Sequence, residues 1–96
     1  MKKTFQLIHP KIQYPRMIEA VKNEVRKYLK RTRRKPLPEG TDFWDFECKF
    51  GNLEEDAQPV HLAEIDKHID DAEAKKLDYF YIEVIPFAAT RKKKAE

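Results

Sequence analysis

The sequence PRMIEAVKNEVRKYLKRTRRK, residues 15–35, decides the fold of this 96-residue chain. Its apolar residues recur at the spacing of one helix face, with an average period of about 3.6 residues. The residues of that face are Ile18, Val21, Val25, Tyr28 and Leu29. Pro15 suits the first turn of a helix, and Pro36 ends the helix because it lacks the N–H that a further turn needs. The segment therefore predicts one long amphipathic helix that packs on a sheet.

A basic stripe runs beside the apolar face of this helix. Lys22, Arg26, Lys30 and Arg33 follow one another at steps of four, four and three, so they share one side of the helix. Seven of the ten residues from 26 to 35 are basic and none is acidic. Clustered Lys and Arg attract phosphate backbones because binding releases condensed counterions. The candidate binding residues are Lys22, Arg26, Lys30, Arg31, Arg33, Arg34 and Lys35.

Charge is distributed unevenly along the chain, although the net charge is only +3. Residues 1–38 carry twelve Lys or Arg and two Glu, a net charge of +10, whereas residues 39–83 carry four Lys and fourteen Asp or Glu, a net charge of −10. This polarity permits three kinds of partner for the basic helix: RNA or DNA, an acidic protein, or the acidic region of a second copy. The second helix could also neutralise the first within one copy. Residues 91–94, RKKK, would add to a polyanion surface.

Alternating apolar and polar residues predict strands before and after the long helix. The segments are residues 3–9, 42–51 and 79–85, and prolines at 10 and 86 follow the first and the last of them. Residues 59–77 allow two interpretations. One is a single helix; the other, which we prefer, is a strand at 60–64 and a helix capped by Asp66 that ends near Lys76.

The preferred interpretation gives the order β-α-β-β-α-β, the ferredoxin-like split β-α-β arrangement of the α+β class. We expect a four-stranded antiparallel sheet in the order 4-1-3-2, with two helices on one face and the other face open. If residues 59–77 are all helix, the fold is a three-stranded β-α-β-α-β. The domain would span residues 1–88, followed by a basic disordered tail at 89–96.

The predicted sheet places two sets of side chains on opposite faces. The core face would hold Phe5, Leu7, Trp44, Phe46, Cys48, Phe50, Val60, Leu62, Phe80, Ile82 and Val84. The open face would hold Gln6, Asp45, Glu47, Lys49, His61, Tyr79, Tyr81 and Glu83. Its carboxylates would repel a phosphate backbone, so we expect no base stacking on the two tyrosines.

The stretches KTFQLIHPKI, residues 15–51 and FYIEV resemble a family of small, mostly proteobacterial proteins classed as a domain of unknown function. The resemblance covers most of the chain except the loop at 52–58 and the tail. It implies a bacterial, cytoplasmic, single-domain protein. Because that family has no assigned activity, the resemblance transfers no functional residue.

The remaining motifs give no catalytic or metal site, and we expect a non-enzymatic protein without a cofactor. The chain contains no Ser, and its one cysteine, Cys48, lies on an apolar strand face. His61, Glu64 and His68 would share a face only in the single-helix interpretation. Even then, these three side chains would form only a partial metal site. A lone cysteine fits a reducing compartment, so cytoplasm is expected. No apolar run is long enough to span a membrane.

Overall fold

The fold is that of a computed structural model, which describes residues 1–91. Its main elements are β1 (Lys2–Gln6), α1 (Tyr14–Arg33), β2 (Phe43–Gly51), β3 (Gln58–Val60), α2 (Ile65–Ala74) and β4 (Tyr79–Ala89). Short 3-10 turns at Glu54–Asp56 and Leu62–Glu64 flank β3. The predicted α+β class, the order β-α-β-β-α-β and the four-stranded antiparallel sheet are confirmed.

The order of strands in the sheet is β1-β4-β2-β3, so the expected order 4-1-3-2 is wrong. The reason lies in the lengths of the strands. β4 has eleven residues and pairs with all nine residues of β2, while β1 has only five residues and occupies an edge. A long strand with an apolar face is buried best in the middle of the sheet. Every pair of neighbouring strands is antiparallel.

The segment that sequence left ambiguous contains both a strand and a helix, as the preferred interpretation predicts. The strand lies at Gln58–Val60 instead of 60–64, because Val60 pairs with Cys48 and the chain then turns into a 3-10 turn. Asp66 does not cap α2; Glu64 takes the position before the helix, and Asp66 lies in its first turn. The single-helix alternative and its three-stranded sheet are therefore wrong.

β4 does not end at Pro86, as the sequence predicted, but continues to Ala89. The N–H of Val84 donates to the carbonyl oxygen of Met1, on the β1 side, at 2.7 Å. Pro86 lies two residues further on, so its nitrogen faces the same side, where β1 has already ended. No sheet hydrogen bond is lost at this proline. The predicted tail at 89–96 begins inside β4, and its residues 92–96 lie outside the described part of the chain.

Both helices pack on the same face of the sheet, around a core of thirteen buried residues. Ile18, Val21 and Val25 of α1 and Ile65, Ile69 and Ala72 of α2 meet the core face of the strands. Four residues expected in this core, Trp44, Phe50, Val60 and Leu62, are only partly buried. Tyr81 was expected on an open face, yet it is only 3% exposed.

The burial of Tyr81 follows from the segment after β2. Tyr81 lies opposite Gly51 in the sheet, and the chain at Ala57 returns so close to Gly51 that an added Cβ would lie 2.7 Å from the Ala57 Cα. Only glycine permits this approach. The nominally open face is therefore partly covered at this end.

Candidate polyanion interface

The C-terminal end of α1 is held against β2 by two contacts. The indole Nε1–H of Trp44 donates to the carbonyl oxygen of Lys35 at 3.0 Å. The guanidinium of Arg33 lies over the Phe46 ring, 5.6 Å from its centroid. A guanidinium at this distance is attracted to the electron-rich face of the ring. Both contacts fix the end of the helix that carries the densest positive charge.

Four cations, three on the C-terminal half of α1 and one at its C-cap, line a shallow concave surface of about 400 Å³. They are Arg26, Lys30, Arg33 and Arg34, which we call the C-terminal basic cluster. Eight residues of helix span about 12 Å, so the four side chains are close neighbours. Leu29 also lines the concavity. Within residues 1–91, no carboxylate lies within 4 Å of the charged groups of Lys30, Arg33 or Arg34.

The N-terminal half of the basic stripe has a different environment, because α2 brings carboxylates to it. Lys22 forms an ion pair with Asp70, and Arg26 contacts Asp66 at 3.4 Å. The Lys22 side chain is 21% exposed, whereas that of Arg26 is 62% exposed. Of the predicted site residues, Lys22 is therefore removed from the free cationic surface. Arg26 stands at its boundary and belongs to both environments.

Arg31 and Lys35 are exposed but do not line the concavity. Successive helix residues are rotated by about 100°, so Arg31 points about 160° away from Arg33 around the axis. Lys35 lies two residues beyond Arg33, the last helical residue, and follows the C-cap residue Arg34. Both side chains contribute to the positive potential at this end of the molecule without joining the cluster.

The sequence prediction missed the pairing partners of the stripe and the apolar parts of the site. One signal was present: Asp66 and Asp70 are four residues apart, the same spacing as Lys22 and Arg26. Two helices packed side by side can match such spacings pair for pair. The approach of Phe46 to Arg33 had no comparable signal, because it depends on how far β2 extends beneath α1.

The open sheet face is acidic and offers a second cavity, of about 500 Å³, between β2, β3 and β4. Asp45, Glu47 and Glu83 line it together with His61 and Phe87. These carboxylates disfavour a phosphate backbone on this face.

Tyr81, beside this cavity, is neutral over the ordinary pH range. Burial raises the pKa of Tyr81 to about 12, and the hydrogen bond that its hydroxyl donates to Glu83 Oε1, at 2.8 Å, adds to the shift. A protonated phenol carries no charge that could attract an anion.

The side chains considered for metal binding or nucleophilic chemistry do not converge. His68 stacks on Phe50 with ring centroids 5.4 Å apart and touches Glu64 only at 4.0 Å. Burial raises the pKa of the Cys48 thiol to about 11, which keeps it in the unreactive thiol form. Within residues 1–91, no three His, Cys, Asp or Glu side chains are grouped so that they could hold a metal ion. No helix in this range has the length and apolarity needed to cross a membrane.

The fold and the surface define a small α+β protein with one basic helix end and an acidic remainder. Residues 1–95 match the model of the Family of unknown function (DUF6172), and the chain belongs to that family. Comparison with curated proteins gave no match, and comparison with solved structures gave none either.

Proposed function

We propose that this protein is a non-enzymatic, cytoplasmic binding module that contacts nucleic acid through the C-terminal basic cluster. One observation carries the proposal: the cluster presents four cations in one concavity, and within residues 1–91 three of them have no carboxylate within 4 Å. A favourable interaction with the helix dipole would account for only part of this positive charge. The surplus is what a polyanion would use.

The expected affinity depends on salt. Four phosphate contacts give a slope of log K against log salt near −3 for a single strand and about −3.6 for a duplex. Arg33 and Arg34 can each offer planar, forked donors to phosphate oxygens, while Lys30 acts as a point charge. Leu29 and the aliphatic stems of the cations would lie beneath the ligand.

The rest of the molecule restricts how a nucleic acid would approach. Two other surfaces are negatively charged. The open sheet face carries Asp45, Glu47 and Glu83, and the side of α2 that faces α1 carries Asp66 and Asp70. A phosphate backbone would therefore approach the exposed end of α1. The basic residues 91–94 would extend the positive charge available to it.

The direct test is fluorescence anisotropy with labelled single-stranded RNA, single-stranded DNA and duplex DNA at several salt concentrations. The triple substitution Lys30→Ala, Arg33→Ala and Arg34→Ala should reduce the slope by about 2 for single strands. The matched control is Lys2→Ala, Lys11→Ala and Lys67→Ala, which removes the same charge from exposed positions elsewhere. This control should keep most of the slope.

Two results would contradict the proposal. One is the absence of binding by the wild-type protein at about 25 mM salt, where a four-contact site should be strongest. The other is an equal loss of slope in the triple variant and its control, which would mean that only net charge matters. Comparing the three nucleic acids identifies the preferred type.

A second candidate function is salt-sensitive self-association. The turn Glu54–Asp56 presents three exposed acids, and no cation lies within 4 Å of them in the described part of the chain. The C-terminal basic cluster of one copy could meet this turn of another. Light scattering at low and high salt tests it: a dimer that dissociates in high salt, in a protein that binds no nucleic acid, favours this function.

A further inference from the structure

We infer that Asp66 and Asp70 are specificity-determining residues: they close the N-terminal half of the basic stripe to phosphates and limit the site to about four contacts. The inference rests on the proposed function and deepens it. Without these two acids, the stripe would run without interruption from Lys22 to Arg33, over about 17 Å of helix. With them, the usable surface begins at Arg26.

The geometry supports this role for the two carboxylates. They lie one helical turn apart on α2 and reach two cations one turn apart on α1, so both contacts form with the helices side by side. Lys22 is the more sequestered cation, at 21% side-chain exposure, and its partner Asp70 remains 58% exposed. An incoming phosphate would therefore meet the Asp70 carboxylate before it could reach the Lys22 ammonium.

The charges around Lys22 reinforce the barrier. Glu19 lines the same shallow depression as Lys22 and Arg26, and Glu24, the other acid of α1, pairs with Lys3 at 2.9 Å. From residue 14 to residue 25, α1 carries Arg16 and Lys22 against these two acids, so its net charge is zero. This segment has no net positive charge and lies beside two further carboxylates. It therefore cannot displace the counterions that are condensed on a phosphate backbone.

Because exposed ion pairs are weak, we expect the two acids to affect nucleic-acid binding more than folding stability. Each pair contributes little to folding, so the acids can be neutralised without unfolding the protein. What they change is the exchange that binding requires. A phosphate at Lys22 must replace a carboxylate that already satisfies the ammonium, and it must also bear repulsion from Asp66.

The test uses the full chain with Asp66→Asn and Asp70→Asn together. Labelled single-stranded RNA and DNA serve as probes, measured by anisotropy from about 25 to 300 mM salt. We expect the slope to steepen by about 0.7, the value of one added phosphate contact. Affinity at low salt should rise about fivefold, from the loss of two nearby like charges. Circular dichroism verifies that the variant keeps its helices.

A matched control and a coupling experiment separate this mechanism from a general charge effect. Asp71→Asn with Glu73→Gln removes the same charge from α2, where Asp71 pairs with Lys75 at the C-cap of the same helix and not with α1. Lys22→Ala should leave the slope of the wild type unchanged. In the Asp66→Asn, Asp70→Asn background, Lys22→Ala should reduce the slope by about 0.7, because Lys22 is then in use.

Each outcome of these measurements supports or overturns the inference. Steeper slopes confined to the Asp66, Asp70 variant, with coupling to Lys22, support the inference. Equal gains in the control, or no coupling to Lys22, overturn it while leaving the proposed function intact. Binding by the variant but not by the wild type would support the closing role and contradict the proposed function. Absence of binding by both proteins overturns both.

Discussion

The two halves of α1 carry cations from one continuous stripe, but the surrounding structure gives those cations different partners. In residues 14–25, Lys22 is paired with Asp70 and three side chains, Ile18, Val21 and Val25, are buried in the core. In residues 26–33, Thr32 is the one buried side chain and the cations face outward. The first half therefore anchors the helix, and the second half presents charge.

This difference shows that a charge pattern on one helix does not define a surface until its neighbours are known. Lys22 and Lys30 occupy equivalent places in the stripe, eight residues apart. α2 has ten residues and reaches only the first part of α1, which has twenty. Along the stripe, the cations without a carboxylate within 4 Å in residues 1–91 begin at Lys30, beyond Arg26 and its contact with Asp66.

The largest expected effect would test whether the first half is the anchor. Ile18 is 2% exposed, so Ile18→Ala should lower the free energy of unfolding by about 2–5 kcal/mol through lost burial and a residual cavity. Leu29, in the second half, is only partly buried, and Leu29→Ala should cost about 1 kcal/mol. Urea denaturation of both variants gives the comparison. Equal losses would contradict the division of α1 into an anchoring and a presenting half.

An intermediate effect concerns the attachment of the second half. Trp44→Phe keeps an aromatic ring but removes the hydrogen bond to the Lys35 carbonyl, and it should cost about 1 kcal/mol. Amide hydrogen exchange should accelerate at the C-terminal end of α1 and remain unchanged near Ile18. Uniform acceleration along the whole helix would show that Trp44 stabilises the fold as a whole instead of this end.

The smallest effect concerns the ion pairs of the first half. Lys22→Ala should change the free energy of unfolding by less than about 1 kcal/mol, because its pair with Asp70 is at the surface. The Lys3→Ala variant, which removes the pair with Glu24, is the control and should behave alike. Thermal denaturation in low and high salt measures both. A loss of several kcal/mol on Lys22→Ala would mean that the pair holds the two helices together.

Local patterns predicted the elements whose signal lies within one segment. The apolar period of α1 and the strict alternation of β2 identify both elements, because each buries one face along its whole length. The order of the strands had no such signal. It depends on β4 pairing with both β1 and β2, contacts between residues that are far apart in sequence. β3 was displaced because a three-residue edge strand containing Pro59 has hardly any alternation to detect.

The candidate site was likewise predictable only in the features that lie within one segment. The density of cations between residues 26 and 35 is visible in the sequence, and the cluster lies within it. The loss of Lys22 from the surface is a consequence of helix–helix packing. The possibility that the acidic helix neutralises the basic one could be stated from charge alone, but which cations are neutralised could not.

Pro86 has a consequence for how molecules of this protein meet one another. β4 extends past the end of β1, which leaves one edge of its last residues without a neighbouring strand in the described part of the chain. An unpaired edge of an apolar strand is a template on which other chains can aggregate. Pro86 places a position without a hydrogen-bond donor in the middle of that edge. Pro86, which the sequence predicted to end the strand, therefore allows β4 to be long while disfavouring aggregation through its unpaired edge.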